Sequence, residues 1–192
     1  MDIILNSIKK NNYKYHIDHI IYWNDQKFVL DALNINVFSL HFASEELQNN
    51  KEVVLEAVKK DGRSLIYASE ELLDDKDIVL EAVKKDGRQL NIASKELRNN
   101  KEVVLKAVKN NGFAFQFAFK ELRRDKDVLL IAVKKDEWVL RYGSIEIQIN
   151  KELRENKKLI IVILKKLYFI DSNINHNKHF LKKSFQQILK FY

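Results

Sequence analysis

Few residues in this chain could do chemistry. His16 with His19, and His176 with His179, stand three apart, the spacing at which two imidazoles share a helix face and can ligate one metal ion. Each pair supplies only two of the three or four ligands that zinc requires, so both read as surface or partly buried imidazoles near the two ends. His41 stands alone and reads the same way. No glycine-rich phosphate loop, GxSxG elbow or HExxH motif occurs. Glu45-Glu46 and Glu70-Glu71 are sequence neighbours that point apart on a helix and lie in solvent. The chain contains 0 cysteines, which excludes a thiolate nucleophile, a disulfide framework and Cys-ligated zinc. The expectation is a non-catalytic protein with no metal and no cofactor.

Lysine is the other chemically suggestive residue. Lys59-Lys60, Lys84-Lys85 and Lys134-Lys135 recur, with Lys9-Lys10 and Lys165-Lys166 toward the ends. Aligned on one edge they would form a basic ridge suited to phosphates. Asp61, Asp86 and Asp136 follow directly, however, and the negative end of a helix dipole attracts lysines without any ligand. The formal charge of +7 arises from 34 basic and 27 acidic residues with both signs interspersed. Dedicated nucleic-acid binders concentrate their charge on one face.

The elements that would position these residues follow from a repeat. KEVVLEAVKKDGRSLIYASEELLDD from Lys51 to Asp75 returns as KDIVLEAVKKDGRQLNIASKELRNN from Lys76 to Asn100. Stepping along all 192 residues at this 25-residue period aligns Ile3, Phe28, Val53, Ile78, Val103 and Val128. Residues 1–25 read as an N-terminal capping repeat and residues 26–150 as five regular repeats, with an insertion near 145–150. Residues 151–192 read as a degenerate repeat and a C-terminal capping helix rich in Phe and Leu. Each unit has apolar residues at helical spacing, such as Val54, Leu55, Ala57 and Val58, then Leu65, Ala68 and Leu72. The expectation is two short helices per unit.

Asn50, Asp75, Asn100 and Asp125 stand where an N-cap accepts from free N–H groups. Gly62, Gly87 and Gly112 stand where a left-handed residue commonly ends a helix. Ser44, Ser69, Ser94 and Ser144 read equally as interior residues or as caps of the second helix. Ala32, Ala57, Ala82, Ala107 and Ala132 recur in the first helix, and Ala43, Ala68, Ala93 and Ala118, then Gly143, in the second. Small residues repeated at one place mark close helix approaches. With 0 prolines and 4 glycines, an all-β fold is disfavoured. Helices of about ten residues are marginal alone, so stability must come from stacking. The fold class is therefore all-α, an α-solenoid of about seven two-helix repeats.

The motif D-K-[DE]-[IV]-V-L-E-A-V-K-K-D-G, carried by Asp75 to Gly87, is followed by L-x-x-A-S-x-E-L from Leu90 to Leu97. Together they resemble the helical repeat known as domain of unknown function 4116. The resemblance is strong over 26–144, weaker over 1–25 and 152–170, and absent beyond. It implies a helical repeat fold of the kind found in protists, giant viruses and host-associated bacteria, and it brings no catalytic residues. Asp2 follows Met1 without an apolar stretch, and the apolar run Leu159 to Leu164 is far short of the roughly 18–20 residues that span a bilayer. A soluble, intracellular, cytoplasmic protein is expected, the cytoplasm being a host's if the source is a virus or an intracellular bacterium.

Two positions vary while their surroundings agree. One reads Phe38, Arg63, Arg88, Phe113 and Trp138, and three residues later come His41, Ile66, Asn91, Gln116 and Arg141. These ten side chains are expected to form two tracks along the stack, either a partner-binding face or exposed positions drifting freely. Phe113, Phe115, Phe117 and Phe119 add an aromatic excess, with Phe119 either filling a gap or exposed. The functional expectation is a scaffold for protein–protein interaction with a protein partner. The alternatives are a nucleic-acid-associated module using Lys59, Lys60, Lys84, Lys85, Lys134 and Lys135, and a structural subunit of a larger, even viral, assembly, self-associating through its C-terminal helix. The contact role of alanine is testable: Ala82→Leu is expected to overpack its crossing and lower stability by about 1–3 kcal/mol in thermal melting, and a neutral result would contradict it.

Overall fold

The computed structural model describes residues 2–10, 20–136 and 139. The insertion after Ser144, the returning phrase from Glu152, the terminal helix, His16, His19, His176, His179, Trp138 and Arg141 lie outside them. Every element among the described residues is helical. Helix α1 (Asp2–Lys9) and the 3-10 segment η1 (Ile20–Asn24) lead into five long helices, α2 (Gln26–Ile35), α4 (Lys51–Lys60), α6 (Lys76–Lys85), α8 (Lys101–Asn110) and α10 (Lys126–Lys135). Their first residues are 26, 51, 76, 101 and 126, which keeps the expected period through every described unit.

Between residues 37 and 123 the second half of each unit is not the single helix expected from sequence. It is a 3-10 segment followed by one turn of α-helix. The 3-10 segments are η2 (Val37–Phe42), η3 (Gly62–Tyr67), η4 (Gly87–Asn91) and η5 (Gly112–Phe117), and the one-turn helices are α3 (Glu45–Gln48), α5 (Glu70–Leu73), α7 (Lys95–Arg98) and α9 (Lys120–Arg123). Extended residues at both joints cause the split. Asp61, at φ −146° and ψ 116°, ends α4, and its side chain accepts from the Arg63 N–H to start η3. Ala68, at φ −73° and ψ 152°, ends η3. Ser69 then starts α5 by accepting from the Leu72 N–H, as Ser44 and Ser94 do from Leu47 and Leu97. Ser44, Ser69 and Ser94 are caps, which excludes the alternative of interior residues for these three, and Ser144 lies outside the described residues. Phe119 takes this place in the next unit without a side-chain cap bond.

At the starts of the long helices the expected caps are present, and Asp25 joins them: Asp25, Asn50, Asp75, Asn100 and Asp125 all accept from N–H groups of the first turn. Each long helix from α2 to α8 buries a wide face, at positions such as Val53, Val54, Ala57 and Val58, because it packs on its predecessor, its successor and its own 3-10 segment, and α10 packs on α8 and η5. Ala32, Ala57, Ala82, Ala107 and Ala132 are all fully buried there. The second alanine row is less uniform, with Ala68 only half-buried. Ala43, Ala68 and Ala118 occupy the extended joint after a 3-10 segment.

The glycines correct a second expectation. None of Gly62, Gly87 and Gly112 adopts a left-handed conformation. They begin the 3-10 segments against the end of the following long helix, where a Cβ on Gly62 would lie 2.6 Å from the Ala82 carbonyl oxygen. At Gly87 the equivalent Cβ would come still closer to the Ala107 carbonyl. Close approach between units, and not helix termination, excludes a side chain.

Polar groups join consecutive units. The backbone N–H of Ser44, Ser69, Ser94 and Phe119 donates to the carbonyl of Trp23, Gln48, Leu73 and Arg98, at 2.9, 3.0, 3.0 and 2.9 Å. The Ser69 hydroxyl also donates to Asn49 Oδ1 at 2.6 Å, and Ser94 bonds Asp74 in the same way. Just beyond these bonds, at the start of the long helices, Lys51 pairs with Asp75 at 2.7 Å, Lys76 with Glu102 at 2.6 Å, and Lys101 with Asp125 at 2.7 Å. The capping residue of the long helix thus alternates between aspartate and asparagine, and the lysine's partner alternates with it.

Burial pushes the Asp75 carboxyl up, but hydrogen bonds from Lys51 and from the Ile78 and Asp77 N–H groups outweigh it and hold the group below its ordinary 3.8. Asp125 follows the same logic with Lys101, Val128 and Asp127. A carboxylate with a lowered folded value contributes stability that is complete above 3.8 and is lost as pH falls through the lower folded value. Asp75→Asn keeps a cap, as Asn50 and Asn100 do, but removes the titration. Its melting temperature is therefore expected to fall less steeply with pH in that acid range, with a loss near neutrality of at most about 1 kcal/mol. Gly87→Ala is expected to lower stability by about 1–3 kcal/mol in urea unfolding, because the opposing atom is backbone; an unchanged midpoint would disprove the close approach.

A candidate anion-binding groove on the 3-10 edge

The extended joint after each long helix brings its last lysine beside the first side chains of the 3-10 segment. In η3 the Asp61 carboxylate accepts from the Arg63 backbone N–H at 2.9 Å and from its guanidinium, through Nε at 3.0 Å and Nη2 at 2.6 Å. In η4 Asp86 holds Arg88 likewise, with Nε at 3.0 Å and Nη2 at 2.9 Å, and also accepts from Gln89 at 3.3 Å. The guanidinium bonds hold both carboxyls below the ordinary carboxylate value against a smaller upward push from burial, and the same bonds raise both arginines. Each arginine is thereby fixed in direction by its own unit.

Between the two units lies an open groove of about 450 Å³, lined by Lys60, Asp61, Arg63, Lys85, Asp86 and Arg88, with Gly62 and Asn111 completing it. Lys60 also pairs with Glu56 at 3.2 Å, whereas Lys85 has no carboxylate partner among the described residues. Sequence reasoning placed the lysines and the variable tracks in two competing sites, but the structure merges Lys60 and Lys85 with Arg63 and Arg88. Asp61, Asp86 and Asn111 were not singled out as site residues. The repeated Asp-Gly-Arg was the available signal, since an aspartate two residues before an arginine can both cap and orient it.

The remaining described track residues lie on the same series of 3-10 segments. Phe38 is half-buried, lies edge-on to Tyr67 with ring centroids 6.5 Å apart, and carries the Arg63 guanidinium 5.1 Å from its centroid. His41 is exposed and packs on Phe42 and Tyr67 at 5.0 and 5.1 Å. Ile66 is 62% exposed, Asn91 is exposed and Gln116 half-buried. Phe113 is 40% exposed with its edge toward Phe117. In a 3-10 helix positions i and i+3 eclipse one another, so the two tracks share one edge more closely than they would on an α-helix. Of the four phenylalanines, Phe115 is the one fully buried, and Phe119 is exposed at 41%, not a gap filler.

The lysine ridge is not continuous. Lys59, Lys84, Lys134 and Lys135 are exposed, with Lys84 paired to Glu81 at 3.3 Å. The equivalent places in α2 are Asn34 and Ile35, and α8 ends in Lys109 and Asn110. Asn110 braces the neighbouring unit instead, donating to the Lys84 carbonyl at 2.9 Å and accepting from the Gly87 N–H at 2.8 Å. No helix among the described residues is long and apolar enough to cross a membrane.

No curated protein and no solved structure matches the chain. The profile of one family, Domain of unknown function (DUF4116), matches four overlapping stretches, residues 25–73, 50–98, 75–123 and 100–148. Each stretch starts at a long-helix cap and covers two consecutive units, so the profile recognises the stacked pair, and together the matches span well over half of the sequence. The chain therefore belongs to the DUF4116 family of helical repeats.

Proposed function

We propose that the chain is a non-catalytic scaffold that binds a protein partner along its 3-10 edge. The observation that carries this reading is the exposure of large side chains at positions the stack does not use. Ile66 and Phe113 stand 62% and 40% exposed, while the valines and alanines of the long helices are fully buried and nearly invariant from unit to unit. Arg63 and Arg88 project from the same edge, and buried aromatic and arginine anchors dominate the energetics of protein interfaces. An edge that mixes apolar and cationic side chains suits a protein segment better than a uniform polyanion.

The alternative of a nucleic acid tracking the lysine ridge is weakened by Asn34, Ile35 and Asn110, which interrupt the ridge. The alternative of a structural subunit rests on the C-terminal helix, outside the described residues.

The test is capture of the native partner by purified protein. Arg63→Ala with Phe113→Ala is expected to weaken it by about tenfold or more, while the melting temperature stays within the range of ordinary surface substitutions. Undiminished capture by the folded double variant would reject the face.

A further inference from the structure

We propose that the groove between η3 and η4 binds the phosphoryl group of a phosphorylated side chain on the protein partner. The carrier rests on the scaffold reading; the phosphoryl group rests on the groove itself. Its walls carry four cations, Lys60, Arg63, Lys85 and Arg88, against two carboxylates, Asp61 and Asp86, with Glu56 pairing Lys60 at 3.2 Å from outside the lining. A phosphorylated serine, threonine or tyrosine carries about −1.5 to −2 near neutrality and three acceptor oxygens, which suits several converging N–H donors better than the two oxygens of a singly charged carboxylate.

The aspartates do not disable the arginines. Each carboxylate takes Nε and one hydrogen of Nη2, leaving the Nη1 hydrogens free. A guanidinium held on one side by its own aspartate, and in Arg63 also over the Phe38 ring at 5.1 Å, needs no ordering before it meets an anion. Lys85, without a carboxylate partner among the described residues, adds a mobile point charge, and the Asn111 side chain keeps its amide hydrogens after capping Phe113 at 3.0 Å.

The groove is also bounded. Phe38 stands at the corresponding place before Arg63 and Phe113 after Arg88, and Asn110 spends its amide on Lys84 and Gly87. A single compact dianion fits this arrangement better than a nucleic-acid backbone, which would need charges at every unit. Exposed Ile66, one turn along η3 from Arg63, offers an apolar contact to residues flanking the phosphorylated one.

The test is an amide-resolved NMR titration of the full chain with N-acetyl-phosphoserine amide, alongside the unphosphorylated compound. Binding in the millimolar range is expected for so small a probe, with shifts at Gly62, Arg63, Gly87 and Arg88 from the phosphorylated compound only. Lys85→Glu and Arg88→Ala are each expected to weaken it about tenfold or more, and Lys109→Glu, outside the groove, to leave it unchanged. Melting curves identify any variant that has not folded, and the other then decides.

Absence of shifts, or equal binding by both folded variants, would overturn the proposal. So would a single-stranded DNA 20-mer that binds with a steep salt dependence and shifts Lys109, Lys134 and Lys135 as strongly as the groove. Because the probe is a free phosphoamino acid, its result is independent of partner capture. Phosphoserine binding with capture unaffected by Phe113→Ala and Arg63→Ala would retain the phosphoryl site and remove the scaffold face.

Discussion

The one-turn helices set the constraint on which the stack depends. Four residues are too few for a helix to satisfy its own terminal carbonyls, and a buried carbonyl left unpaired is costly. The next unit supplies the donor: Ser69, Ser94 and Phe119 give their backbone N–H to Gln48, Leu73 and Arg98, the last residues of the preceding one-turn helices. In Ser69 and Ser94 the hydroxyl simultaneously caps the residue's own helix and bonds the previous unit. Each unit is therefore completed by its neighbour, and the spacing of the joints is held by main-chain atoms.

Long helices of ten residues bring little stability alone. Their apolar faces meet in one continuous core from Ile4 to Val139, and among the described residues the extensive contacts of each unit are with its immediate neighbours. Such an array is quasi-one-dimensional, and its outward positions carry little of the folding load. That separation lets Phe38, Arg63, Arg88 and Phe113 occupy one place in successive units without disturbing the valines and alanines beneath.

The long helices were legible because three independent signals agreed on them: the apolar spacing, the Asn or Asp cap and the buried alanine. The second half of the unit was not. Leu65, Ala68 and Leu72 satisfy helical spacing whether or not an extended residue interrupts them, so the break at Ala68 leaves no trace in hydrophobic periodicity. Glycine misled for a related reason. After a helix it has two possible uses, and only the position of Ala82 and Ala107 in the following unit distinguishes close approach from a left-handed turn. The groove needed both facts, since the short connection through Asp61 and Asp86 is what carries the lysines to the arginines.

The alternation of capping residues has a further consequence for the array. Lys51 and Lys101 reach aspartate caps whose carboxyls are held low, whereas Lys76 faces an asparagine cap and reaches Glu102 instead. Adjacent seams are thus chemically unlike, and the true translational tile is a doublet of two units. Residues 25–74 form one doublet and 75–124 the next, with a carboxylate-capped, proton-sensitive seam between them and an amide-capped joint inside each.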